Sequence, residues 1–102
     1  MIKPTKVTVG GVEYHIWFER DFGDNLFGRT VGTEQEILIN KDVSEERQRV
    51  TLLHEILHAI SGEMLDKQLD EQQVNSLSQE LYRILKSDKR ITGFLLPKWI
   101  LL

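Results

Sequence analysis

Residues 51–60 read TLLHEILHAI and contain the pattern HExxH, with His54 and His58 four positions apart and Glu55 directly after the first histidine. On an α-helix, positions i and i+4 stand one above the other with Cβ atoms roughly 5–6 Å apart, so both imidazoles reach a common point. A zinc ion fits such a point. It accepts neutral imidazole nitrogens at about 2.0–2.1 Å, and its catalytic sites usually combine three protein ligands with an open position for water. Glu55 projects toward the same neighbourhood and is the natural group to take a proton from that water. The flanking Leu52, Leu53, Ile56, Leu57, Ala59 and Ile60 make the helix apolar almost all round, which predicts that it lies in the core. Polar side chains buried there without partners cost about 1–3 kcal/mol each, and a shared metal removes that cost. The competing explanation, a core helix whose two histidines are only structural, leaves it unanswered.

A chain of 102 residues is long enough for one modest core and too short for a second, so residues 1–102 are expected to form a single domain. Apolar content of 40% with 28% charged residues is that of an ordinary globular protein rather than a disordered one. The net charge of −3, with no basic block beyond the small cluster Lys86, Lys89 and Arg90, argues against nucleic acid as a direct partner. Because there is no cysteine, a disulfide framework and thiolate ligands are excluded, and any metal has to be held by histidine and carboxylate. The opening MIKPTKVTVGG lacks the apolar run of a signal peptide, and nothing approaches the roughly 18 apolar residues of a membrane span. The expectation is a cytoplasmic protein with no membrane partner.

Residues 6–18, KVTVGGVEYHIWF, have the pattern of two short strands joined at Gly10 and Gly11, a dipeptide suited to the positive φ angles of a tight hairpin. Val12, Tyr14, Ile16 and Phe18 share one face, and Glu13, His15 and Trp17 the other. His15 is the only histidine outside the motif and is read as a strand surface residue rather than a ligand. A second hairpin is expected over residues 26–40, LFGRTVGTEQEILIN, closing near Gly32, Thr33 and Glu34, so that residues 6–40 supply the sheet. Its second arm, residues 36–40, has two possible roles. It completes the sheet, or it lies at the edge beside the metal helix and binds an extended peptide as an added strand.

The motif helix is predicted over residues 42–61, with Asp42 or Ser44 as N-cap, Glu45 and Glu46 in the favourable first turn, and Gly62 as the residue that ends it. A second helix is predicted over residues 67–87, its regular part from Asp70 to Lys86, with a core-facing stripe of Val74, Leu77, Leu81, Ile84 and Leu85. Residues 91–102, ITGFLLPKWILL, form an apolar tail. Phe94, Leu95, Leu96, Trp99 and Ile100 are expected to fold back on the core; the alternative is a surface for self-association or partner docking. The fold class is therefore α+β, a small antiparallel or mixed sheet packed on an HExxH helix and a following ligand-bearing helix.

Consecutive helices joined by a short connection pack antiparallel, which brings the start of the second against the end of the first. Glu71, Asn75 and Ser78 run along the second helix at intervals of four and three, and Glu71 then faces His54 and His58. That makes Glu71 the leading third ligand and Asp70 its serious rival. Glu63 and Asp66 sit in the connection, too near to turn back easily, and Glu80 lies farther along the helix. For a donor to a developing oxyanion the weak candidates are Tyr82, Tyr14 and His15.

With TLLHEILHAI followed by LDEQQVNSLSQEL, the chain resembles the minimal zinc peptidases of the ImmA/IrrE-like family, many of them carried by phages and other mobile elements. The resemblance covers about residues 26–85 and implies that His54, His58 and Glu71 hold Zn²⁺, with Glu55 as general base. Some members cut a repressor protein, which implies a protein or peptide substrate and a regulatory protein as one candidate. The expected function is zinc-dependent hydrolysis of a peptide bond in an intracellular protein. The alternative, from a different class, is a zinc-containing protein-binding module of a phage or mobile element with little or no proteolytic activity. Glu55 speaks against it, since a structural zinc more often closes its fourth position with another ligand and needs no base.

Overall fold

In the computed structural model, which describes residues 2–23 and 26–97, Gly10 and Gly11 take φ angles of +56° and +80° between β1 (Lys6–Val9) and β2 (Val12–Glu19). Two successive positive φ angles match the turn to the twist of the strands it joins. Gly10 is also a close approach. A Cβ there would stand 2.6 Å from Met64 Sδ and 3.2 Å from Glu63 Cβ, so the hairpin tip rests on the far end of the motif helix.

β3 (Gly28–Val31) and β4 (Glu36–Asn40) form the second hairpin, turning through residues 32–35 with Gln35 at φ +54°. The hairpins do not lie side by side in chain order. The sheet runs β1-β2-β4-β3, with β2 and β4 parallel and Ile16 opposite Ile37. Ile37, Leu38 and Ile39 of β4 are all buried, as a strand flanked on both sides requires, whereas β3, GRTV, has the more polar sequence of an edge. The idea that residues 36–40 form the edge beside the metal helix is therefore corrected. Both sides of β4 are paired; among the described residues the sheet edges are β1 and β3, and β3 lies more closely against that helix.

One sheet face presents Val9, Tyr14, Ile16, Ile37 and Ile39 to α1 (Glu45–Met64), where Ala59 completes the core and Leu52 and Ile56 pack against it. Thr51, Glu55 and Ala59, each four residues apart, form the buried line of the helix. Its other flanks are less enclosed than their apolar sequence predicts. Leu53 and Leu57 are half-buried and Ile60 is exposed, because one sheet face and one neighbouring helix are the layers that cover it.

Ser44 is the N-cap of α1, its hydroxyl accepting the Arg47 N–H at 3.2 Å, while Asp42 accepts the Asp21 N–H and pairs with Arg20. The helix passes Gly62, which the sequence marks as its end, and stops at Met64. Gly62 keeps its φ outside the left-handed region that a terminating glycine supplies. The chain turns back instead through Ser61, whose buried hydroxyl accepts the Leu69 N–H at 2.7 Å while Leu65 becomes extended.

α2 (Glu71–Ser87) starts later than residue 67 because Asp70 closes a capping box. Its carboxylate accepts the Gln73 N–H at 2.8 Å and the Gln73 side chain accepts the Asp70 N–H at 2.9 Å. Val74 and Ser78 are buried, but Leu77 and Leu81, counted in the core-facing stripe, are exposed; the face toward α1 is narrower than the apolar one. α3 (Lys89–Leu95), capped by Asp88, packs against α2. The described part of the tail does not fold back as expected: Phe94 is 87% and Leu95 59% exposed, and Leu96 is exposed as well, because α3 continues beside α2 and not over the sheet. Trp99 and Ile100 lie outside the described residues. The architecture is α+β, and no helix among the described residues is long and apolar enough to cross a membrane.

Candidate metal centre

Adjacent turns of α1 bring His54 Nε2 and His58 Nε2 to 3.2 Å from each other. Glu71, the first residue of α2, meets both: Oε1 lies 2.8 Å from His54 Nε2 and Oε2 lies 2.8 Å from His58 Nε2. Ligand atoms of the three residues all fall within 4.8 Å of one another. Two nitrogens bound to zinc at about 2.0–2.1 Å with tetrahedral angles stand roughly 3.3–3.4 Å apart, so the imidazoles already have nearly the required spacing. Two imidazoles and one carboxylate are also a donor set that suits Zn²⁺ and leaves a fourth position open. The histidine side chains are mostly enclosed, at 16% and 27% exposure, while that of Glu71 is 72% exposed, so the cluster sits at the floor of a cleft with an accessible acidic lip.

Chain geometry brings Glu71, and not its rivals Asp70, Glu63 and Glu80, against the two histidines. The bond from Leu69 to Ser61 carries the connection back across α1, and the capping box starts α2 with Glu71 beside the histidines. Asp70 spends its carboxylate on that cap. Glu63 accepts the Tyr14 hydroxyl at 2.6 Å, and Glu80 is paired with Arg83 farther along α2.

Glu55 is buried, and its two oxygens have different surroundings. Oε1 accepts the Thr30 hydroxyl at 2.8 Å, and Oε2 lies 4.0 Å from His54 Nε2. Burial pushes its carboxyl above the usual carboxylate range, against the opposing pull of the Thr30 hydrogen bond and the two histidines. Depressions open on both sides. One of about 240 Å³ is lined by Phe27, Gly28, Arg47, His54 and Asn75, and one of about 520 Å³ by Tyr14, Thr30, Gly32, His58 and Gln68. Glu55, Gly28 and Glu71 border both, so the cluster stands midway along a groove that follows β3.

Of the three weak oxyanion donors, Tyr14 alone lines this groove. Its pKa is pushed up to about 12 by burial and by the Glu63 carboxylate that accepts its hydroxyl, so the phenol stays protonated. His15 stacks on Trp17 on the sheet face away from α1, and Tyr82 lies on α2 beneath Lys86. Sequence reasoning missed Thr30 and Gly28. Both sit in a short, unremarkable strand sequence, and their proximity to Glu55 depends on β3 being the edge strand.

The model of a peptidase family, Peptidase_M78, the IrrE N-terminal-like domain, matches residues 15–87. The chain belongs to that family. The match runs from within β2 to the last residue of α2 and so contains His54, Glu55, His58 and Glu71 as well as β3. Peptidase_M78 is a metallopeptidase family, in keeping with a His-His-Glu cluster that could hold a metal. Comparisons with curated proteins and with solved structures gave no match.

Proposed function

We propose that the chain is a zinc-dependent peptidase that hydrolyses a peptide bond in an intracellular protein, a regulatory protein being one candidate substrate. The observation that carries this reading is the placement of Glu55 Oε2 4.0 Å from His54 Nε2, one of three donor atoms that lie within 4.8 Å of one another. His54, His58 and Glu71 would hold the ion, and Zn²⁺ there would supply Lewis acidity that makes a nearby water more acidic. Glu55 takes a proton from the attacking water as the water oxygen bonds to the peptide carbonyl carbon. When the C–N bond breaks, Glu55 returns that proton to the leaving amine. The free edge of β3 is the place for an extended substrate, which adds as a further strand and lays its scissile bond over the cluster.

The test is a pair of variants assayed for zinc content and for cleavage of a denatured protein mixture. Glu55→Gln is expected to bind zinc and cleave nothing, and His58→Ala to lose both properties. Cleavage that survives Glu55→Gln overturns the mechanism. The exposed Phe94 and Leu95 of α3 favour a second reading, a zinc-containing protein-binding module. It predicts that Glu55→Gln leaves every function of the protein intact.

A further inference from the structure

Glu55 belongs to a helix, yet the group that fixes its carboxylate comes from the sheet. The Thr30 hydroxyl, on the edge strand β3, lies 2.8 Å from Glu55 Oε1 and 3.0 Å from the main-chain oxygen of the same residue. A hydroxyl has one proton to donate, so these two acceptors share it, and both tie the strand to one turn of α1. The strand comes this near because of Gly28, two residues earlier on the same face. A Cβ at Gly28 would stand 2.6 Å from Thr51 Cγ2, 2.9 Å from Leu38 O and 3.3 Å from Glu55 Cγ. Gly28 and Thr30 thus enclose Glu55 at its stem and at its head. With Oε1 engaged, Oε2 is the oxygen left facing His54.

We infer that Thr30 is the positioning residue for Glu55: its hydroxyl anchors Oε1 so that Oε2 alone, in one orientation, meets the attacking water. This inference rests on the peptidase reading above. A free glutamate side chain samples many rotamers, and a carboxylate already held in the productive one loses no such freedom during reaction. The arrangement also joins two tasks in one strand. β3 offers its free backbone edge to a substrate and, through a side chain on its inner face, aims the base.

Thr30→Val removes the hydroxyl and keeps the branched shape, while Thr30→Ser keeps the hydroxyl. The valine protein is expected to lose about 10–100-fold in kcat, the range typical of outer-shell partners at a metal site. Its KM and zinc affinity should stay within about two-fold of the parent, and the serine protein should recover most of the loss. A structural readout needs no activity: in the crystal structure of metal-free Thr30→Val, the Glu55 carboxylate is expected to leave its place while His54 and His58 keep theirs. If the valine protein does not fold, Thr30→Ala carries the same comparison. An unmoved Glu55 in that structure, an unchanged kcat, or a serine protein as impaired as the valine one overturns the inference. A parent protein that hydrolyses nothing, together with a displaced Glu55 in the variant, instead overturns the peptidase reading and leaves the anchor established.

Discussion

Around the last turns of α1, the carboxylates are sorted by their partners. Glu71 meets two imidazoles, Asp70 caps α2, and Glu63 accepts a phenol. Each assignment predicts a different loss. Glu71→Gln should weaken zinc binding by more than the ~10–100-fold typical of an outer-shell partner. Asp70→Ala should cost about 1 kcal/mol of stability, the usual worth of a helix cap, with a smaller effect on zinc. Calorimetric zinc titration and urea unfolding separate the two, and equal losses of zinc affinity would contradict the assignment. Tyr14 gives a pH dependence whose sign is fixed. Its folded pKa of about 12 exceeds the ordinary 10.0, so its contribution is fully present below pH 10 and is lost as pH rises through about 12. A shift of two units amounts to at most about 3 kcal/mol, less whatever solvent screens at the exposed Glu63. Tyr14→Phe should therefore flatten the alkaline part of the stability profile, measured by urea midpoints from pH 9 to 12, and a profile as steep as the parent's would count against it. The histidine pair and Glu55 were legible in the sequence because helical spacing is local. Thr30 was not, since nothing within residues 28–31 states which neighbour that strand will have.

Gly28 shows how elements, and not only residues, shape the centre. Gly28→Ala would set a methyl against Thr51 and against the Leu38 carbonyl oxygen, so β3 must retreat from α1. The expected cost is about 1–3 kcal/mol, as for overpacking elsewhere, with a matching loss of activity. Adding Thr51→Ala relieves only the side-chain clash, so the double variant should stay less stable than Thr51→Ala alone. Equal urea midpoints for those two proteins would show that the strand has room to spare. Strand order is the feature the sequence concealed. Gly10 and Gly11 announce a hairpin within four residues of chain, but the parallel pairing of β2 with β4 joins segments some twenty residues apart. Its trace is the uninterrupted Ile37, Leu38 and Ile39, a run that suits a strand flanked by neighbours on both sides better than an edge. The length of α1 was hidden for a similar reason: Ser61 turns the chain through a bond to Leu69, whereas Gly62 offers only a local stop signal.

Over the whole molecule, the sheet, α1 and the start of α2 make up the centre, and the family match spans them from β2 onward. α3 lies beyond the match and packs against α2. Phe94→Ser should therefore change unfolding stability by no more than about 0.5 kcal/mol, as at other exposed positions. A loss of several kcal/mol would restore the folded-back tail that its composition suggested. For residues 94–96 that expectation failed because apolar content measures a tendency to be covered and does not say by what. Most direct for the account as a whole is anomalous diffraction at the zinc edge on crystals of the zinc-loaded protein. The account predicts one strong peak about 2.0–2.2 Å from His54 Nε2, His58 Nε2 and a Glu71 oxygen, with Glu55 outside coordination range. A peak elsewhere, a peak lacking Glu71, or no peak at this cluster would contradict it.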